Sequence, residues 1–170
     1  MKPTRSDHLS DAELALRGLS RESDLRLDAE GRFWFGPSLC THPGVTAAFA
    51  RWIERHPSGR YVLRTDWHYV YLQVDGAPLH ARAVEDGPEG PVLRLAGGER
   101  EPLRPETLRE GPDGTLYASG RDGSWPVRLG PGAALDLGAW LVAGPEGRPC
   151  FEAGGRRHPI PRAEDPLRNA

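Results

Sequence analysis

Lysine is nearly absent from this chain of 170 residues, since Lys2 is the only lysine among 22 basic residues. A P-loop lysine, a kinase lysine and a Schiff-base lysine are therefore excluded, because each needs an ammonium group on a structured element. The motifs G-x-G-x-x-G, G-x-S-x-G and H-E-x-x-H are absent as well. Phosphoryl transfer, dinucleotide binding and zincin chemistry therefore lack their residues.

Cysteine, strong net charge and long apolar runs are also missing. Cys40 and Cys150 are too few for a disulfide framework and form no C-x-x-C, so we expect buried free thiols. The net charge of -2 gives no electrostatic footprint for nucleic acid or an anionic membrane. No run approaches the roughly 18 apolar residues that span a bilayer, and the first residues lack the apolar core of a signal peptide. We expect a soluble cytoplasmic protein without nucleic-acid or membrane partners.

One sequence unit occurs twice in the chain. The segments "HPGVTAAFARWIERHPSGRYVL" (His42 to Leu63) and "GPGAALDLGAWLVAGPEGRPCF" (Gly130 to Phe151) share Pro-Gly, a later Trp and Pro-x-Gly-Arg. Before each segment, an acidic residue and Gly separate two short apolar runs, which is a hairpin signal. We therefore predict two pseudo-symmetric repeats at about 24–64 and 107–153, each a hairpin, a helix, a turn and a strand.

The helix of each repeat is predicted from apolar spacing at i, i+4, i+7 and i+8. These positions hold Val45, Phe49, Trp52 and Ile53 in the first copy, and Ala133, Leu137, Trp140 and Leu141 in the second. Pro43 and Pro131 suit a first helical turn, and the predicted helices end at His56-Pro57 and Gly144-Pro145. The two tryptophans are expected to anchor the core.

The regions outside the repeats complete the predicted fold. Ser10 to Glu13 is a capping box, flanked by Leu9 and Leu14 at the staple positions, and predicts a short amphipathic helix to about Leu19. This helix either docks on the domain or binds a partner. Between the repeats, turn signals separate strands near Thr65-Asp66, Asp75-Gly76 and Gly97-Gly98.

The predicted fold class is α+β, with a mostly antiparallel sheet built from the two repeats. The predicted organisation is an N-terminal segment at 1–22, a single α+β domain at 23–161 and a disordered tail at 162–170.

Five residues are candidates for binding. Asp66, Trp67 and His68 lie at a predicted hairpin tip, where the tryptophan is either an exposed contact or tucked over the sheet edge. Arg60 and Arg148 are related by the repeat, and they either clamp an anion symmetrically or satisfy local carbonyls and acids. No metal-ligand set and no cofactor motif accompanies them.

Several stretches resemble a known bacterial family, "domain of unknown function 1285": "LDAEGRFWF", "HPGVTAAFARWI", "GRYVLRT" and "YLQVDGAPLHARAVED". The stretch "LRLAGGEREPLRPETLREGPDGTLYASG" is similar to the mitochondrial group "uncharacterised protein family 0598". The similarity covers roughly residues 24 to 160. Two departures are visible: His68-Tyr69 replaces a family Glu-Lys near the hairpin tip, and Leu79 replaces a family Phe.

The resemblance implies an α+β fold of repeated motifs and a signalling or adaptor role, with no established enzyme activity. We therefore predict a non-enzymatic binding or adaptor domain that holds a protein partner. Two alternatives stay open. One is a small-molecule or anion sensor with the ligand between the repeats. The other is an enzyme with an unrecognised site that uses His42, His68 or His80.

Overall fold

The computed structural model describes residues 9–168 of the chain. The chain divides into two compact units, Met1–Gly76 and Ala77–Ala170. The boundary lies inside the range 23–161 that the sequence suggests as one domain, directly after the Asp75-Gly76 turn. Each unit carries one of the two repeats.

In its described part, residues 9–76, the first unit is a six-stranded sheet with two α-helices. Its elements are α1 (Asp11–Leu16), β1 (Leu25–Leu27), β2 (Phe33–Phe35), β3 (Ser38–Leu39), α2 (Pro43–Arg51), β4 (Ile53–Arg55), β5 (Tyr61–Arg64) and β6 (Tyr69–Val74). The strand order is β3-β2-β1-β6-β5-β4. The β1–β6 pair is parallel, and all other neighbours are antiparallel.

The two faces of this sheet differ in character because side chains alternate along each strand. Leu63 lies opposite Ile53 on β4 and Val70 on β6, so these three apolar residues share one face. Arg64 lies opposite Tyr69, which places this pair on the other face. We call that second face the tyrosine face.

The N-terminal helix docks on the first unit. Its capping box is confirmed, since the Ser10 hydroxyl accepts from the Glu13 N–H and the Glu13 side chain accepts from the Ser10 N–H. The helix ends at Leu16 rather than near Leu19. Leu14 is fully buried, and Arg21 is buried with its guanidinium 4.4 Å from the Tyr69 ring centroid. Of the two predicted roles for this helix, the structure shows docking within the chain.

The second unit has two sheets and one α-helix in its described part, Ala77 to Arg168. Its elements are β7 (Leu79–Gly87), β8 (Gly90–Leu95), β9 (Arg100–Pro102), β10 (Arg109–Glu110), β11 (Leu116–Gly120), β12 (Trp125–Leu129), α3 (Pro131–Leu137), β13 (Leu141–Ala143), β14 (Pro149–Ala153) and β15 (Arg156–Pro159). The strand orders are β10-β11-β12-β7-β8-β9 and β13-β14-β15. Only the β12–β7 pair is parallel among these described strands.

The predicted fold class is confirmed, because the sheets are mostly antiparallel and the repeat recurs in both units. Hairpin β1–β2 corresponds to β10–β11, α2 to α3, and the β4–β5 pair to β13–β14. The second copy has a longer connection between hairpin and helix, and this connection forms strand β12.

The predicted helix ends and the core role of Trp52 are wrong, whereas Trp140 is half-buried and stacks on the buried Phe151. Helix α2 ends at Arg51, and α3 ends at Leu137 before a short 3₁₀ turn. Ile53 and Leu141 each begin a strand instead of continuing a helix. Trp52 is 39% exposed, and α2 has no buried residue. The apolar spacing was misleading because the first residue of the next strand, Ile53 or Leu141, falls where the apolar face of the helix would have continued.

The C-terminal segment is hydrogen-bonded to β10 as far as it is described, and the predicted disorder of 162–170 stays a prediction. The Glu110 N–H donates to the Pro161 carbonyl at 2.8 Å, and the Ala163 N–H donates to the Glu110 carbonyl at 2.8 Å. The Arg109 Nε donates to the carbonyl of the buried Pro166 at 2.7 Å. These bonds hold the segment along β10, and positions 169 and 170 lie outside the described residues.

Candidate functional site

The hairpin tip between β5 and β6 projects two of the predicted residues. The Thr65 N–H donates to the His68 carbonyl at 2.8 Å, and the Thr65 hydroxyl donates to the same carbonyl at 2.9 Å. These bonds close the turn and leave Asp66 and Trp67 at its tip, where the indole is 56% exposed. His68 is half-buried with its ring stacked beside Tyr69. Trp67 is therefore the exposed ring at the tip, and its role as a binding contact stays a prediction.

Trp52, which the sequence assigned to the core, lies beside this tip. Trp52 and Trp67 both line two adjoining grooves of about 190 Å³ and about 370 Å³. The smaller groove is apolar and includes Phe49, whose ring lies 6.1 Å from that of Trp52. The larger groove carries charged side chains, among them Arg51, Glu54, Arg64 and Asp66. We call the two indoles with these grooves the tryptophan surface.

Arg60 lies on the first unit and is engaged by an acid. Its Nη1 and Nη2 donate to Oε1 and Oε2 of Glu22 at 2.8 and 2.9 Å. Its guanidinium carbon lies 3.5 Å from the centroid of the Tyr71 ring. The hydrogen bonds from Arg60 lower the pKa of Glu22, and the same bonds raise the pKa of Arg60.

The tyrosine face carries further cations around Tyr69. The guanidinium carbons of Arg21 and Arg64 lie 4.4 and 4.7 Å from the Tyr69 ring centroid. His56 Nε2 is 3.2 Å from the Tyr69 hydroxyl, and the rings of Tyr69 and Tyr71 are in edge contact at 5.9 Å. Burial raises the pKa of Tyr69, against the opposing effect of Arg21. The phenol therefore stays neutral and serves as a packing surface.

Arg148 lies in the second unit, at the end of a tight turn. Its N–H donates to the Pro145 carbonyl at 3.2 Å, and its carbonyl accepts from the Gly144 N–H at 2.8 Å. The exposed side chain lines a groove of about 300 Å³ with Glu110 and Arg162. Arg60 and Arg148 are thus in different units, and an anion clamp formed by both stays a prediction.

Two histidines of the enzyme alternative, His42 and His80, make local hydrogen bonds within the fold. His42 caps α2, because its Nδ1 accepts from the Val45 N–H at 3.3 Å. His80 is buried on β7 with Nε2 3.0 Å from the Ala77 carbonyl.

Across residues 9–168, no three His, Cys, Asp or Glu side chains gather as a set of metal ligands. Over the same range, no helix is long and apolar enough to cross a membrane.

The fold is similar to two solved structures. A DUF1285 family protein from Silicibacter pomeroyi DSS-3 has a TM-score of 0.61 at 19% identity, over 82% of this chain and 80% of that one. A DUF1285 family protein from Shewanella baltica OS155 has a TM-score of 0.52 at 20% identity, over 66% of this chain and 87% of that one.

No family model and no curated protein matches the chain. The resemblance to the DUF1285 family is therefore confirmed as a likeness of fold. The similarity to the mitochondrial group stays a prediction.

Proposed function

We propose that this protein is a non-enzymatic, cytoplasmic adaptor module that holds a protein partner on the tryptophan surface. The observation that carries the proposal is the pair of exposed indoles, Trp52 and Trp67, that line adjoining grooves. Tryptophan is enriched among the residues that dominate binding energy at protein interfaces. Such residues act best beside a pocket that the partner fills.

The two indoles offer apolar area that a partner could remove from water. An indole buries up to about 250 Å² when fully covered, and each Å² of apolar area removed from water contributes about 25 cal/mol. Two partly exposed indoles therefore offer a few kcal/mol, before the cost of association is subtracted. Arg51 and Asp66 at the edge of the larger groove supply opposite charges, which favour a specific orientation of the partner.

The cytoplasmic assignment is supported by the thiols. Cys40 and Cys150 are both free cysteines in the structure. Free thiols persist where the compartment is reducing, whereas disulfides form and persist in secreted proteins.

The test compares partner capture by matched variants. Tagged wild type, a Trp52→Ala/Trp67→Ala variant and a Phe35→Ala control are each passed over an extract of the source organism. Phe35 is an exposed aromatic on β2 that lines neither groove, so it controls for loss of exposed apolar area. We expect one stoichiometric protein on wild type and on the control, and its loss on the double variant.

Two outcomes would refute the proposal. One is equal capture by all three proteins, which would place the partner elsewhere. The other is no capture by any of them together with a ligand-dependent thermal shift across a metabolite panel, which would favour a small-molecule sensor. Unfolding curves of all three proteins verify that the double variant is folded.

A further inference from the structure

The Glu22–Arg60 pair has the geometry by which proteins recognise a carboxylate. The Nη1 and Nη2 of Arg60 donate to Oε1 and Oε2 of Glu22 at 2.8 and 2.9 Å, respectively. The guanidinium carbon lies 3.5 Å from the centroid of the Tyr71 ring. A bidentate fork of this kind is specific for planar oxyanions, and stacking on an aromatic ring holds the fork in one orientation. In this structure the carboxylate comes from the chain itself.

Glu22 can leave this site without disturbing its neighbours. The residues on either side are attached to the main chain of Tyr71 on β6: the Tyr71 N–H donates to the Arg21 carbonyl at 2.7 Å, and the Ser23 hydroxyl donates to the Tyr71 carbonyl at 2.6 Å. Only the Glu22 side chain reaches Arg60, and these side chains are 67% and 50% exposed. An exposed ion pair is worth little, so rotation of one side chain opens the fork.

A second arginine lies over a second tyrosine of β6 in the same way. Tyr71 and Tyr69 are two residues apart on one face of β6, which separates them by about 7 Å. Arg60 lies over the first ring, and Arg64 lies over the second at 4.7 Å. Each arginine also meets one carboxylate, Glu22 at Arg60 and Glu54 at Arg64. Alternate side chains of an extended peptide have the same spacing as the two tyrosines.

We propose that Arg60 and Tyr71 form the primary binding site for an extended acidic peptide of a partner protein, with Glu22 as its internal stand-in. A second acidic residue, two positions along the peptide, replaces Glu54 at Arg64, which lies over the buried Tyr69. Glu22 competes with the peptide and weakens its binding until the side chain rotates away. The primary site is distinct from the tryptophan surface, because Arg60, Tyr71 and Glu22 line neither groove, although Arg64 lines the larger one. The test of the primary site needs no captured partner.

The experiment measures fluorescence anisotropy of a labelled peptide with glutamate at alternate positions, (Glu-Ser)₃, and of its (Gln-Ser)₃ counterpart. The proteins are wild type, Glu22→Gln, Glu22→Gln/Arg60→Gln and Glu22→Gln/Arg55→Gln. Arg55 is a matched control, because it is exposed and pairs with Tyr61 on the opposite face of the sheet. A fifth protein, Glu22→Gln/Arg60→Lys, keeps the charge but removes the fork.

We expect Glu22→Gln to bind the acidic peptide about two- to sixfold more tightly than wild type, because an exposed internal competitor worth up to about 1 kcal/mol is gone. The Arg60→Gln and Arg60→Lys double variants lose this gain, and the Arg55→Gln double variant keeps it. Binding weakens as salt rises, since the contacts are between exposed charges. The (Gln-Ser)₃ peptide does not bind.

Three results would overturn the proposal. The first is equal affinity of Glu22→Gln and wild type for the acidic peptide. The second is equal loss on Arg60→Gln and Arg55→Gln, which would indicate unspecific attraction to positive charge. The third is displacement of the labelled peptide by free glutamate as effectively as by unlabelled peptide, which would make the site one for small carboxylates. Thermal unfolding of each variant shows whether the protein is folded under the assay conditions.

Discussion

The indole Nε1 of Trp34 donates a hydrogen bond of 2.8 Å to Oδ2 of Asp28. Asp28 is buried at the turn between β1 and β2, where it also accepts from the Arg32 Nε at 2.8 Å. Its Oδ1 accepts from the backbone N–H groups of Glu30 and Arg32 at 3.1 and 2.8 Å. One carboxylate therefore organises the first hairpin, and the equivalent position of the second repeat holds Gly111.

Replacing this carboxylate should destabilise the protein. Asp28→Asn keeps the shape of the side chain, but it turns an amide NH₂ toward donors and removes the charge that strengthens these bonds. Hydrogen bonds to a charged group contribute about 1.5–3 kcal/mol each, so we expect a loss of about 2–4 kcal/mol in the free energy of unfolding. Urea denaturation measures the loss. Asp24→Asn, at an exposed aspartate nearby, should change stability by less than about 0.5 kcal/mol. Similar losses in both variants would contradict the role given to Asp28.

The Asp28 carboxylate should also make the free energy of unfolding depend on pH in the acid range. Burial acts to raise the pKa of Asp28, but hydrogen bonds from Trp34 and Arg32 outweigh it and the pKa is lowered. The unfolded chain has the ordinary pKa of about 3.9, so the stabilisation is complete above that pH. It is lost as the pH falls from there through the lower folded pKa.

Unfolding free energies of wild type and Asp28→Asn, measured from pH 6 down to pH 2, check this effect. The difference between the two proteins should be constant above about pH 5 and should shrink below pH 4. Glu22, Asp75, Glu85 and Asp113 also have lowered pKa values, but they are present in both proteins and cancel in the difference. A difference that stays constant down to pH 2 would exclude Asp28 as the titrating group.

Truncation of two leucines of α1 should change stability by very different amounts. Leu14 is fully buried, whereas Leu16 on the same helix is 89% exposed. Leu14→Ala should lower the free energy of unfolding by about 2–5 kcal/mol, and Leu16→Ala by less than about 0.5 kcal/mol. Limited trypsin digestion after Arg17 gives a local measurement, and cleavage should accelerate only in Leu14→Ala. Equal cleavage rates would mean that Leu14 does not hold the segment.

Structural features that depend on residues close in the chain were predictable from the sequence. The capping box at Ser10 depends only on neighbouring residues, and the structure confirms it. The hairpin between β5 and β6 was likewise predicted from its turn near Thr65-Asp66, and the structure confirms it. In contrast, the end of α2 depends on where the chain joins a sheet, and periodicity over one turn cannot distinguish Ile53 in a helix from Ile53 in a strand.

Long-range relationships were not predictable. The parallel pairing of β1 with β6 joins segments far apart in the chain, as does the contact of Glu22 with Arg60 across 38 positions. The sequence suggested Arg60 through the repeat and Trp67 through the hairpin, but it assigned Trp52 to the core. A signal for Trp52 was present, because its helix is short and has small residues before it, Ala47, Ala48 and Ala50.

The backbone of Trp52 is held from both sides, between the last residue of α2 and the first of β4. Its N–H donates to the Ala48 and Phe49 carbonyls at 3.1 Å, and its carbonyl accepts from the Arg64 N–H at 2.8 Å. A tryptophan on a flexible loop would lose backbone entropy of about 1–2 kcal/mol per residue when a partner ordered it. At Trp52 this ordering is complete before any encounter. Under the proposed function, Trp52 would therefore add only the ordering of its own side chain to the entropic cost of association.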